Sequence, residues 1–474
     1  MARIVVVGAG YAGLTAAYAA VRAGHDVTVF EAASAAGGAI QPLTFDLDEG
    51  PLTVDAGAEA YASRSELVGD LLDELGLGQD VVTPSPAGSW LYLPDVGAVP
   101  APKVGMWGIP GHPSAPEVIQ ALGPVGASRA AQELAMPMAN WTKRRAAGET
   151  ITVGELIKDR FGTEVLERLV APVVAGVHSA DPYDVDIETI APGLIDLAIQ
   201  HDSVARAVAE RRAAAPPGAA VKTLTGGLHR VIGALVDYLS EHAQLHLNTK
   251  ITGVESDPVA VRTATGEQVT GDHIVLAVNA PTAFDLLAPL GQLTERPATG
   301  TGVALVALVI DEPALDDHPR GTGMLVSPAA RNVTAKAATH VTAKWDWAHR
   351  AASAQAPHRH VVRLSYGRIT DPADGSAAGH DTSDEQLYEL ALADAAAMFG
   401  LDHEHLTEAV VAFQVIRWRE EMPLTTPETT QRVEAITRFA EDTDWLHVTG
   451  AWFAGTGLAA ITQHATTLEF NPLQ

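Results

Sequence analysis

The chain has 474 residues, 47% of them hydrophobic, with 31 Lys and Arg against 58 Asp and Glu for a formal net charge of −27, and it has no cysteine. At roughly 100–200 residues per domain this length predicts two or three domains, each with its own core. Without Cys there are no disulfides, Cys-ligated zinc, iron–sulfur clusters or thiol nucleophile, which points to a cytoplasmic compartment, and the acidity excludes nucleic acid as a partner because Lys and Arg supply that affinity through counterion release.

The β-branched run from Ile4 to Val7 predicts a buried parallel strand, and Asp26 to Phe30 predicts a second that ends at Glu31. Between them Leu14, Ala17, Tyr18 and Val21 recur at helical spacing, with Gly24 at the C-cap. The turn GAGYAG at 8–13 places Gly8, Gly10 and Gly13 in a G-x-G-x-x-G pattern, which lets the backbone approach a pyrophosphate at the positive end of the helix. Glu31 stands where a carboxylate accepts a hydrogen bond from a ribose hydroxyl, so the pattern predicts a dinucleotide and disfavours a 2′-phosphate. Residues 4–21 carry no charge, but the glycines split them into strand and helix, so no span or leader is predicted.

Gly37-Gly38 follows Glu31 closely, and the segment DAGAEAY at 55–61 comes next. Residues 65–76 predict an amphipathic helix with a Ser65 cap and Leu67, Leu71, Leu72 and Leu75 on one face. Prolines and glycines between 81 and 116 predict a hairpin and ordered loops, and 117–213 reads as helical up to the AAAPPG boundary at 213–218. Alternation over 245–278, beginning with Leu245 and Leu247, predicts an antiparallel ribbon returning to a buried strand at 274–278. A strand-rich segment covers 300–367, then helices at 384–399 and 427–440 and a strand at 445–449. The uncharged stretch 445–468 is broken by Gly450, Gly455, Gly457 and His464 and predicts no membrane span.

Read together, GAGYAGLTAAYAA, FEAASAAGG and VDAGAEAY resemble the flavin amine oxidase and protoporphyrinogen oxidase superfamily. The implied fold is α/β, with a Rossmann-like, discontinuous FAD-binding domain (1–80, 218–290 and 442–474), a mixed-sheet substrate domain (81–116 and 291–441) and a helical domain (117–217). The implied cofactor is FAD, held by Gly8, Gly10, Tyr11, Ala12, Gly13, Glu31, Ala32, Gly37, Gly38, Ala39, Gly57, Ala58, Glu59, Ile251, Val254, Trp418, Gly450, Gly455, Gly457 and Leu458. In VTGAWFAGTGL at 448–458, strand, glycines and helix start give a positive helix end suited to the charge of a reduced ring. No metal site is predicted.

The segments VGELIKDRFGTEVLERLVAPVVAGVHSADP, VKTLTGGLHRVIGAL, VTAKW, RLSYGR and VIRWREEMP resemble, within that superfamily, the oxygen-dependent coproporphyrinogen III oxidases of Gram-positive and actinobacterial haem synthesis. The chain departs from that pattern at Ala39, where a basic residue is common, at Met422-Pro423-Leu424-Thr425, where MPQY is common, and at His178, where Tyr is common. The resemblance implies oxidation of coproporphyrinogen III with O2 as acceptor and H2O2 as product, a tetrapyrrole substrate and transient contacts with haem-pathway enzymes. Such chemistry belongs to the flavin and needs no strong side-chain acid or base. None is evident: there is no G-x-S-x-G, H-E-x-x-H or P-loop.

A substrate with four carboxylates needs local cations, and the candidates are Lys344, Arg363, Arg368 and Arg417, with His178 as a further substrate contact. The run Lys143-Arg144-Arg145 is a further cation candidate but reads first as a solvated helix face, and His358, His360, His403 and His405 read as surface residues. Trp90, Tyr92, Trp107 and Tyr366 are aromatic candidates for stacking. Two other readings fit the residues: an FAD oxidase of protoporphyrinogen IX or of an amine, and a flavin- or tetrapyrrole-binding protein that does not turn over.

Overall fold

The structure is a computed structural model that describes residues 1–178, 181–214, 220–291, 293–298, 302–368, 371, 377–419 and 427–471. Its first layer is a five-stranded parallel sheet in the order Gln244–His246, Asp26–Phe30, Arg3–Val7, His273–Leu276, Leu446–Val448. The central strand shows why a β-branched run was needed. Ile4 and Val6 are buried on one face under the helices Tyr11–Arg22 and Arg230–His242, and Val5 and Val7 are buried on the other. A strand covered on both faces has no room for polar alternation.

The edge of this sheet corrects one sequence expectation. Leu245 does not open the antiparallel ribbon: Gln244–His246 pairs in parallel with Asp26–Phe30. The ribbon consists of Ile251–Ser256, Val259–Thr263 and Gln268–Thr270, followed by the buried strand His273–Leu276. The alternating pattern is shared by both kinds of strand, so it could not separate them.

The second sheet has seven strands, in the order Val410–Trp418, Val303–Asp311, Arg359–Tyr366, Ala337–His340, Gly323–Val326, Trp90–Leu93, Gly97–Pro100. It is mixed, because Gly323–Val326 runs parallel to Trp90–Leu93 while the other pairs are antiparallel. Ala304, Val306, Val362 and Leu364 on one face pack on the helix Asp384–Phe399. On the other face Ala307, Val309 and Val361 are covered by the hairpin Pro42–Leu47 and Gly50–Asp55 and by Trp345 and Trp347. Lys344 does not lie in a strand as expected, since VTAKW forms the one-turn helix Val341–Lys344.

Between 116 and 214 the chain is helical around one apolar cluster that includes Trp141, Leu156, Phe161, Leu169 and Ile195. The buried pair Glu133 and Arg160 sits inside it, with Arg160 Nη2 2.7 Å from Glu133 Oε1, and Glu133 also accepts from Ser203 Oγ at 2.6 Å and Val204 N at 2.7 Å. Among the described residues no helix is long and apolar enough to cross a membrane.

Candidate active site

The glycine turn between Arg3–Val7 and Tyr11–Arg22 is closely packed. A β-carbon on Gly13 would stand 1.9 Å from the Gly8 carbonyl oxygen, and Gly8 itself has φ +101 with a virtual β-carbon 2.6 Å from Ala277 O. Neither position admits a side chain. The helix that follows is capped by Gly10 with no side-chain hydrogen bond and has no acid in its first turn, which leaves its N–H groups for an anion. Tyr11 and Ala12 are buried at its start.

Glu31 reaches back over this turn, accepting from Ala9 N at 2.7 Å and Ala33 N at 2.8 Å. Gly37 N donates to Ala9 O at 2.8 Å, and a β-carbon on Gly38 would come 3.3 Å from Gly10 Cα. The glycine pair is thereby laid across the first turn. Ala32 and Gly38 are exposed and Ala39 is half-buried. The side chains of Ile251 and Val254 are buried in the core beside Val5, Val7 and Phe30.

Two further loops converge from other parts of the chain. Gly450 (φ +131) follows the strand Leu446–Val448, Gly455 (φ +106) and Gly457 are exposed, and Gly457 caps the helix Leu458–Thr466 without a side-chain hydrogen bond. Leu458 and Ala58 pack on the same apolar cluster as Tyr11 and Tyr61, which brings the 55–61 loop against both helix starts. On the other side of that loop, a β-carbon on Gly57 would lie 2.9 Å from Trp418 Nε1. That indole nitrogen is buried and has no hydrogen-bond partner among the described residues, and buried polar atoms are rarely left so. The glycine cradle, two uncapped helix starts, the Glu31 carboxylate and the unpartnered indole N–H together fit a dinucleotide carrying a flat polar ring.

The expected substrate cations have other partners. Arg363, 8% exposed, donates from Nη1 to Asp55 O at 2.7 Å and from Nη2 to Glu59 Oε2 at 2.9 Å, while Lys344 Nζ lies 2.5 Å from Glu59 Oε1. Burial acts to raise the Glu59 carboxyl, but Lys344 and Arg363 outweigh it and hold the group below the usual carboxylate range. Arg368 donates to Thr334 O and Ala335 O, and Arg417 to His380 O and Thr382 O. Arg144 and Arg145 pair with Glu149, Glu155 and Asp196 on a surface helix. Tyr366 is buried with its hydroxyl on Asp394, and Tyr92 accepts from Asn332. His178 ends the helix Ala171–His178, and its side chain lies outside the described part, as do residues 422–425.

His360 must be moved from the surface to the interior. It is 1% exposed, with Nε2 3.0 Å from Asp316 Oδ1 and Nδ1 3.2 Å from His340 Nε2. The strand Arg359–Tyr366 begins one residue before it and carries its side chain into a packed layer. Sequence reading also missed Asp55, whose buried carboxylate accepts from Leu228 N and His229 N at 2.9 Å and lies 2.8 Å from His229 Nδ1. A strand-ending Asp in DAGAEAY was visible, but nothing tied it to residues more than 170 positions away.

The flavin containing amine oxidoreductase model matches residues 11–465. The chain is similar to a coproporphyrinogen III oxidase of Mycobacterium tuberculosis, with 30% identity covering 96% of this chain and 94% of that one. It is also similar to one of Bacillus subtilis, with 25% identity over 96% and 94%. Among solved structures, a provisionally named protoporphyrinogen oxidase from Exiguobacterium has the same fold, with a TM-score of 0.79 at 23% identity over 98% of this chain and 97% of that one. The match begins inside the glycine turn and runs through the 55–61 loop, Trp418 and the closing 450–458 loop, and the chain belongs to the family of flavin containing amine oxidoreductases, as an oxidase whose cofactor is FAD.

Proposed function

We propose that this oxidase converts coproporphyrinogen III to coproporphyrin III in haem biosynthesis, with O2 as acceptor and H2O2 as product, in the cytoplasm. The observation that carries this reading is a half-buried patch of the seven-stranded sheet. Leu305, Ser365, Ala337 and Leu325 form one cross-strand row and are all half-buried, while their neighbours on the opposite face are fully packed. The row continues the face on which Arg363 reaches the 55–61 loop. It offers a flat, uncharged floor of small and aliphatic side chains beside the flavin loops, suited to the face of a macrocycle.

The flavin supplies hydride acceptance when bound. Residues 8–13 and 37–39 would hold its phosphates and Glu31 its ribose. Gly57, Trp418 and the 450–458 loop would bound its ring. The chain's own part in turnover is position and water exclusion: Leu305 and Leu325 seat the ring system against the floor, and the helix Ala171–His178 closes over it, a β-carbon on Gly176 falling 2.8 Å from Leu325 Cδ2. The similarity to coproporphyrinogen III oxidases over nearly the whole chain favours the tetracarboxylate over protoporphyrinogen IX or an amine.

The test is aerobic turnover of the purified protein with coproporphyrinogen III and, separately, protoporphyrinogen IX, reading porphyrin fluorescence and peroxide together. Preferential oxidation of the tetracarboxylate with about three peroxides per porphyrin is expected. Bound FAD with no fluorescence rise above the spontaneous rate for either substrate would overturn the reading.

A further inference from the structure

Glu59 lies almost fully buried between the strands Gly50–Asp55 and Tyr61–Ala62, and the second sheet closes two cations on it. Lys344 takes one carboxylate oxygen and Arg363 the other. Because the second arm of Arg363 holds Asp55 O, one guanidinium fixes both ends of the span 55–59, with Gly57 and its neighbour Trp418 at the middle. The Asp55 carboxylate is turned away, toward Leu228, His229 and the start of the helix Arg230–His242.

This arrangement is poorly suited to gripping substrate. Both terminal nitrogens of Arg363 already donate within the 55–59 span, and a carboxylate arriving at Lys344 would have to share its ammonium with Glu59. Sharing would weaken the compensation of a buried carboxylate, which would then keep only Arg363 in full. The geometry points to Lys344, Glu59 and Arg363 as a charged positioning group for the flavin ring rather than as holders of substrate carboxylates. The inference rests on the flavin reading of the 55–61 loop and not on the identity of the substrate.

A physical consequence separates the two roles. Reduction adds negative charge to the ring, so a nearby cation favours the reduced form and a nearby anion opposes it. Removing Lys344 and removing Glu59 must therefore move the flavin potential in opposite directions. A role confined to packing would give no such sign reversal.

The experiment is an anaerobic redox titration of the FAD-loaded protein and its Lys344→Met, Glu59→Gln and Arg363→Lys variants, which needs no porphyrinogen. A lower potential is expected for Lys344→Met and a higher one for Glu59→Gln. Arg363→Lys keeps the charge but loses the fork, so a smaller potential change is expected with FAD held about tenfold more weakly. The KM for coproporphyrinogen III should stay within about twofold in Lys344→Met. If Glu59→Gln does not fold, Lys344→Gln replaces it, and both Lys344 variants must lower the potential. Unmoved potentials and visible spectra, with a KM raised tenfold, would overturn the inference and return both cations to the substrate. A wild-type protein that takes up no FAD would overturn the flavin reading and this inference together, whereas a flavoprotein idle on porphyrinogens would leave the titration intact.

Discussion

Tyr11 and Thr462, 451 positions apart in the chain, share a buried 2.7 Å hydrogen bond between their hydroxyls. It ties the helix after the glycine turn to the helix after the 450–458 loop, and burial pushes the Tyr11 phenol up to about 12. Thr462 also donates to Leu458 O, so Tyr11→Phe leaves no new orphan. The expected cost is about 0.5–1.5 kcal/mol, seen as a lower midpoint in denaturant unfolding. FAD affinity should fall with it, because both uncapped helix starts lose a common brace. An unchanged dissociation constant and midpoint would show the bond to be idle.

Glu31 is the more severe test of the cofactor site. Glu31→Ala removes an ionised acceptor from the N–H groups of Ala9 and Ala33 at the edge of the glycine turn. Hydrogen bonds to charged groups contribute about 1.5–3 kcal/mol, so FAD affinity should fall by roughly 10- to 100-fold. Fluorescence titration of the apoprotein reads this directly.

Acid should loosen the fold through its buried histidines. Burial holds His447 down to about 4 from the ordinary 6.5, with His273 and His464 as neighbouring rings adding to it. Burial likewise lowers His340, against His360, His318 and His349. These groups are neutral when folded and take up protons when unfolded, so their contribution is present above pH 6.5 and is lost as pH falls toward 4. A tenfold difference in proton affinity between the folded and unfolded chain corresponds to about 1.4 kcal/mol. Unfolding free energies measured at pH 7.5 and pH 5 should differ accordingly, and His447→Gln should flatten the slope. An equal slope in that variant would assign the acid sensitivity elsewhere.

Far from the flavin, Glu133 and Arg160 are 0% and 1% exposed in the helical region. Arg160→Met leaves a buried carboxylate with only Ser203 and backbone donors, and should destabilise by about 3–5 kcal/mol. The visible spectrum of bound FAD should not change. A spectral change would mean that this region supports the ring.

The local half of the site was legible in the sequence because its causes are local. Gly8, Gly10 and Gly13 read as a phosphate turn from spacing alone, and Glu31 follows at the end of the next strand. What was hidden depends on tertiary pairing. Lys344 and Arg363 were visible as candidate cations, but their partner Glu59 lies 285 and 304 positions away, and no periodicity links them. His360 reads as polar and exposed in an i, i+2 pair, yet the strand that starts at Arg359 carries it inward. Gln244–His246 reads like any alternating strand, and only its partner Asp26–Phe30 decides which sheet it joins.

The parallel sheet has a consequence for how the protein is made. His273–Leu276 finds its outer partner only in Leu446–Val448, and the contact between His273 and His447 spans 174 positions. At roughly 5–20 residues per second, a ribosome needs about 9–35 s to cover that interval. Throughout it the edge of His273–Leu276 offers bare amide and carbonyl groups to any other strand nearby. The second sheet and the helical region are complete or nearly so before the first sheet is sealed, although that sheet holds the earliest strand. The flavin pocket thus closes after the second sheet and the helical region, and FAD can be enclosed only once the 450–458 loop has been made.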